Sequence, residues 1–204
     1  MTKNILITGF EPFGGESINP ALEAVMALPN EINGCKLTKL QLPVVFRKSI
    51  DVLYEALEKE KPFAVINVGQ AGGQPDIRLE RVAINIDDTN SPDNDGEKPT
   101  DTPIFPDAPA AYFATLPIKS IAENLNKKSI PASISNSAGT YVCNHIMYAA
   151  LHYAAKSRPD IKAGFVHIPY LPSQAVGKKN APSMSAESVI TALKIIIKTV
   201  NESA

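Results

Sequence analysis

The chain reads as an α/β protein built on a mostly parallel sheet with helices on both faces. Three observations predict it. Short apolar segments of strand length alternate with segments of helical period along the chain. The strand segments Phe63–Val68 and Ala163–Ile168 are near-continuous apolar runs, as strands buried under two helical layers must be. Neither an internal repeat nor an interdomain linker interrupts the 204 residues, a length that suits one domain with a substantial core.

The elements follow in order. Asn4–Thr8 forms a first strand ending at Gly9. Asn19 caps the first helix and Pro20 takes its first position, where a missing N–H costs nothing; Leu22, Val25 and Met26 follow. Lys39–Val45 is expected as a second strand, with Pro43 implying an edge or a bend. Phe46–Lys59 places Ile50, Leu53, Tyr54 and Leu57 on one helical face. Phe63–Val68 is a strand stopped by Gly69, and Glu80–Ile86 alternates through Val82, Ile84 and Ile86 as another. Ile118–Lys127 is helical, Ala132–Asn136 a strand, Val142–Lys156 a helix and Ala163–Ile168 a strand cut off by Pro169. Ser185 caps the last helix, whose apolar stripe runs through Val189, Ile190, Leu193, Ile196, Ile197 and Val200. Residues 87–111 break this rhythm with Pro92, Pro99, Pro103, Pro106 and Pro109. Long unstructured loops are uncommon in compact domains, so this one is either an ordered loop at the site or at a subunit contact, or a surface excursion.

Composition narrows the function classes. A net charge of −1 supplies no basic field for nucleic acid or an anionic membrane. Two cysteines make no disulfide framework and suit a reducing compartment. Three histidines without Cys-x-x-Cys or His-Glu-x-x-His spacing point away from a zinc site. Met1-Thr2-Lys3-Asn4 leads into a strand without the features of a signal peptide, and no apolar run approaches a membrane span. A soluble, cytoplasmic protein without a zinc site is the expectation.

The segment Ser137-Ala138-Gly139-Thr140-Tyr141-Val142-Cys143-Asn144-His145 carries the chemistry. It puts Cys143 in the first turn of a helix, where unpaired N–H groups and the positive end of the helix dipole favour a thiolate and can cradle an oxyanion. The competing reading is an inert buried thiol, and it is the one that fits Cys35, which follows a turn with no base nearby in sequence. A cysteine nucleophile needs a base. His145 points to a different face of the same helix, and His152 lies well along it. His167 ends a buried strand at the sheet edge where ligands collect in open α/β folds, the edge that Cys143 also occupies. Glu80 is a candidate third member, against a bland pairing with Arg78 or Arg81. The loop Gly9-Phe10-Glu11-Pro12-Phe13-Gly14-Gly15 has neither a dinucleotide fingerprint nor a Walker lysine; its two rings suit either a flat, small, uncharged ligand or plugs in the core. Gly69-Gln70-Ala71-Gly72-Gly73 adds an amide side chain.

Taken in order, these motifs, with Ile18-Asn19-Pro20, Glu80-Arg81-Val82-Ala83-Ile84-Asn85, Pro92-Asp93-Asn94 and His167-Ile168-Pro169-Tyr170-Leu171-Pro172, resemble the pyroglutamyl peptidase I (pyrrolidone-carboxylate peptidase) family of cysteine peptidases over nearly the whole chain. The resemblance implies a three-layer α/β/α fold in one catalytic domain, residues 1–204. It implies a triad of Cys143, His167 and Glu80, ligand contacts at Phe10, Phe13, Asn19, Gln70, Tyr141 and Val142, and removal of N-terminal pyroglutamate from peptide substrates through a thioester. It further implies no cofactor, no metal and a homo-tetramer. Two departures stand out: Tyr141 where the family usually has phenylalanine, and Asn90 where it usually has an arginine near the reacting centre. The rival readings are a nucleoside phosphorylase-like enzyme on the same architecture and a binding module that retains the pocket without turnover.

Overall fold

The computed structural model describes residues 3–203. In chain order the elements are β1 (Asn4–Phe10), α1 (Pro20–Met26), β2 (Glu31–Ile32), β3 (Cys35–Leu42), α2 (Lys48–Glu60), β4 (Ala64–Gln70), β5 (Ile77–Glu80), β6 (Val82–Ile84), β7 (Ala111–Phe113), α3 (Ile118–Asn126), β8 (Ala132–Ser135), α4 (Val142–Ser157), β9 (Lys162–Ile168), α5 (Pro172–Ala175) and α6 (Ala186–Glu202). Seven strands form one sheet in the order β2-β3-β1-β4-β9-β5-β8. The pairs β3–β1, β1–β4, β4–β9 and β5–β8 are parallel; β2–β3 and β5–β9 are antiparallel. The sheet is therefore mostly parallel, as the alternation of elements predicts.

Two apolar cores cover its faces. Ile5, Ile7, Ile66, Val68 and Val166 pack with α1, α3 and α6, where Val25, Ile121, Leu193 and Ile197 are buried. Leu6, Val65, Ala163 and Phe165 turn the other way, onto Leu53 and Leu57 of α2 and Ile146, Met147 and Ala150 of α4. The alternation of buried side chains along each strand, both sets apolar, is what makes the central strands read as continuous hydrophobic runs.

Two elements differ most from the sequence expectation. The second strand lies at 35–42 rather than 39–45, because Asn33 and Gly34, at φ 50 and 75, make a tight hairpin turn that starts β3 at Cys35. Pro43 ends that strand. The alternating stretch 80–86 is not one strand. It divides at Arg81, with β5 in the main sheet and β6 paired to β7 in a separate two-stranded ribbon. Asn144 holds this exit: its Oδ1 accepts from the Ile84 N–H at 2.9 Å while its Nδ2 donates to the carbonyls of Ile84 and Ile86 at 2.9 and 3.0 Å. The caps at Asn19 and Ser185 form as expected, accepting from the N–H groups of Ala21 and Ser188.

The proline-bearing segment 87–111 is ordered by hydrogen bonds. Asp87 and Thr102 exchange backbone bonds, and Thr89 N–H reaches Pro99. The buried Asp93 accepts from three backbone N–H groups, Phe46 through Oδ2 and Asp95 and Glu97 through Oδ1, at 2.8–2.9 Å. Asn94 donates to Glu11 Oε1 and to the Pro12 carbonyl at 2.8 and 3.0 Å. The segment therefore ties the loop after β1 to the loop after β3, at the C-terminal edge of the sheet.

Candidate active site

Cys143 is the second residue of α4 and half-buried. The approach is set by the turn before it: Gly139 lies at φ 76, a conformation that favours glycine, and Ser137 Oγ accepts from its N–H at 3.1 Å. Tyr141, in the cap position, is extended and offers no side-chain acceptor to the helix. The N–H groups of the first turn are thus left for an incoming anion, at the positive end of the helix. Gly69, near the end of β4, makes room for the sulfur. A Cβ there would lie 3.1 Å from Sγ and 2.7 Å from the Phe165 ring.

His167 comes from β9 and Glu80 from the end of β5, its antiparallel neighbour. The imidazole Nδ1–H donates to Glu80 Oε1 at 2.8 Å, and the two residues are only 7% and 1% exposed. With Nδ1 committed to the carboxylate, Nε2 is the nitrogen available to the sulfur. Burial disfavours a charged imidazole, but the neighbouring Cys143 sulfur and then Glu80 outweigh it and raise His167 to about 9. Glu80 does not pair with either nearby arginine. Arg78 faces Asp76 at 3.7 Å, and Arg81 donates to Asn136 Oδ1 at 2.8 Å.

The six residues named for ligand contact meet beside Cys143. Phe10, Phe13, Asn19, Gln70, Tyr141 and Val142, with Val44, line a slot of about 20 Å³ that reaches the sulfur. It opens into a cleft of about 300 Å³ that shares Phe13, Gln70, Tyr141 and Cys143 and adds Arg78, Glu80 and His167. The slot is aromatic-walled: Phe13 and Tyr141 lie 6.5 Å apart, and Phe46 meets Tyr141 edge-on at 5.5 Å. Asn19 is fixed within it, donating to the Glu11 carbonyl at 3.1 Å while its Oδ1 caps α1. The arrangement unites a nucleophile, a base with an oriented tautomer, unpaired helix N–H groups and a small apolar pocket. It can perform acyl transfer.

The other candidates fall elsewhere. Cys35 is fully buried at the start of β3, and burial raises its thiol pKa. His152 bonds Tyr112 at 3.1 Å and stacks on Phe105. His145 is buried against Asp87. Asn90 is exposed and lines neither the slot nor the cleft. Sequence reasoning did not single out Val44, Asp87 or Gln174. For Val44 the signal was present, since Pro43 marks a strand end on the same sheet edge.

Comparison with known proteins agrees with this geometry. A family model described as pyroglutamyl peptidase matches residues 3–203. The pyrrolidone-carboxylate peptidase of Alkaliphilus oremlandii is 57% identical over 193 residues, which cover 95% of this chain and 91% of that one. The crystal structure of pyroglutamyl peptidase I from Bacillus amyloliquefaciens superposes with a TM-score of 0.95 at 46% identity, covering 98% of this chain and 95% of that chain. A mutant pyrrolidone carboxyl peptidase from Pyrococcus furiosus gives 0.95 at 45% identity, covering 98% and 99%. This chain therefore belongs to the pyroglutamyl peptidase family, whose members are cysteine-type hydrolases.

Proposed function

We propose that the protein removes N-terminal pyroglutamate from peptides through a thioester formed on Cys143. The observation that carries this reading is the meeting of Cys143, His167 and Glu80 beside a small aromatic slot. Cys143 attacks the carbonyl joining pyroglutamate to the next residue, as a thiolate paired with the His167 imidazolium. The imidazolium gives its proton to the leaving amine as the C–N bond breaks. Glu80 holds the histidine tautomer and stabilises its charged form. The N–H groups at the start of α4 receive the oxyanion; one such donor typically accounts for ~100–1,000-fold in rate. His167 then takes a proton from water, which hydrolyses the thioester and releases pyroglutamate and the free thiol.

Specificity follows from the lactam. It is flat and neutral, with one N–H and one C=O, and suits two aromatic walls with polar groups from Gln70 and the backbone. N-terminal proline is of similar bulk but cationic, and has no ring carbonyl. Burying that charge beside Phe10 and Phe13 without a partner is costly. A pocket built on specific hydrogen bonds rejects an analogue lacking them by ~10⁴–10⁵-fold.

The test is hydrolysis of a chromogenic pyroglutamyl amide by wild type and Cys143→Ala, with the prolyl amide alongside. Turnover of the first substrate alone, abolished in Cys143→Ala, is expected. Retained turnover in the variant removes Cys143 from the mechanism, and equal turnover of both amides refutes the pocket. A cytoplasmic homo-tetramer is the assembly proposed with this activity, on resemblance alone; sedimentation of the purified chain tests the subunit count. Among the described residues no helix is long and apolar enough to cross a membrane.

A further inference from the structure

Gln174 lies in the short helix α5 that follows the His167 strand, and only 6% of it is exposed. Its Oε1 accepts from the Leu171 backbone N–H at 3.1 Å. A backbone N–H can only donate, so this contact decides which end of the side chain is oxygen. The NH₂ end is then turned to Gln70 and donates to Gln70 Oε1 at 3.2 Å. Gln70 lines both the slot and the cleft. With its oxygen committed to Gln174, the group it can offer a ligand is its own NH₂.

We propose that Gln174 is a positioning residue that fixes the polarity of the Gln70 amide, so that the slot presents a donor and selects a ligand carrying a carbonyl acceptor. The inference rests on the function proposed above, in which that acceptor is the ring carbonyl of pyroglutamate. An unsupported glutamine amide can turn over and exchange donor for acceptor at little cost. Turned over, Gln70 would offer an oxygen to the slot, the group that suits the cationic N–H₂ of an N-terminal proline. The relay from the Leu171 N–H through Gln174 to Gln70 thus supports the pocket's preference for a neutral lactam.

The Gln174→Glu variant tests the relay. One glutamate oxygen keeps the Leu171 N–H, and the other can only accept, so Gln70 must turn its NH₂ toward it and its oxygen to the slot. The probe is 2-pyrrolidone, a neutral lactam whose dissociation constant is read by titration calorimetry without turnover. Binding is expected to weaken about tenfold or more, the effect of replacing a hydrogen bond by two facing acceptors. The alkylation rate of Cys143 by iodoacetamide should stay within about twofold of wild type, because the relay does not touch the triad. In a Gln70→Ala background Gln174→Glu should change the lactam affinity little. If the glutamate variant does not fold, Gln174→Met replaces it, with a smaller loss and the same dependence on Gln70. Unchanged affinity in the single variant overturns the inference, as does an equal loss in the Gln70→Ala background or a wild type that does not bind 2-pyrrolidone. Wild type that binds the lactam but does not cleave a pyroglutamyl amide counts against the peptidase reading and leaves the Gln174 comparison intact.

Discussion

The Asp87 carboxylate holds the His145 imidazole with both oxygens, Oδ1 at 2.9 Å and Oδ2 at 2.8 Å from Nδ1. A second imidazole–carboxylate pair therefore stands two residues from Cys143, and its chemistry differs from that of His167 and Glu80 at one atom. Nε2 of His145 accepts from the Arg47 backbone N–H at 3.0 Å, so both ring nitrogens are occupied and neither is left for the sulfur. Arg47 itself sits at φ 60 and ψ −58, a strained turn at the start of α2. The pair is structural: it locks the 87–111 segment and the α2 entry onto α4. Removing it by His145→Phe leaves a buried carboxylate and an N–H without partners. A loss of about 3 kcal/mol in chemical denaturation is expected, with iodoacetamide still reaching Cys143 in the folded fraction. Undiminished stability would show that the pair holds nothing.

His167 gives the pH dependence. Its ordinary value is 6.5, and the site raises it to about 9, so the charged ring is favoured in the folded state. The stabilisation it contributes is complete below about 6.5 and is lost as pH rises through 9. The same ionisation should draw the alkaline limb of kcat/KM near pH 9. Cys143→Ala removes the leading cause of the rise, and the His167 titration followed by NMR should move to lower pH. A value unmoved in that variant would mean that the sulfur and the ring do not interact.

Glu80→Gln keeps the shape of the orienting side chain and removes its charge. Glutamine can also donate to Nδ1, which would place the proton on Nε2, the nitrogen that must face the sulfur. Turnover is expected to slow by about 100-fold or more while KM stays nearly constant, following the roughly 10⁴-fold effect of the analogous change in serine proteases. A change in KM alone would make Glu80 a pocket residue.

Gly69→Ala tests how closely the sulfur is packed. The added methyl would meet the Phe165 ring at 2.7 Å and Sγ at 3.1 Å, and Phe165 is itself buried against His167 at 4.7 Å between ring centres. Overpacking of this kind costs about 1–3 kcal/mol, and here it should also displace Cys143 and slow its alkylation. A variant as stable and as reactive as wild type would contradict this packing.

The fold was legible where one local rule governs a whole element. Asn19-Pro20 and Ser185 announce helix starts, and the apolar runs of β4 and β9 announce buried strands. Cys143 and His167 could be placed on one sheet edge from sequence because the first opens a readable helix and the second closes a readable strand. Glu80 was open between His167 and two arginines, since side-chain choice between neighbours on adjacent strands leaves no periodic trace. The division at Arg81 was hidden for a related reason: alternation continues through it, and only Asn144, 60 residues away from Ile84, redirects the chain. Asp87 and Gln174 were invisible because their meaning lies in partners 58 and 104 residues distant.

Tyr141 offers the last test, in the wall of the slot beside Cys143. Its hydroxyl donates to the Pro92 carbonyl at 3.0 Å and so ties the slot wall to the proline-bearing segment. Burial first, then nearby Asp93 and Cys143, push it up to about 12, so it remains a donor throughout the working range. Its ring stays wedged between Phe13 and Phe46 whether or not the hydroxyl is present. Tyr141→Phe therefore removes one partly exposed hydrogen bond and no packing. Stability should fall by about 1 kcal/mol, and KM for a pyroglutamyl amide should rise by a few-fold as the 87–111 segment loosens, with kcat unchanged. Loss of kcat instead would place the hydroxyl in the chemistry, beside the oxyanion, rather than in the wall of the pocket.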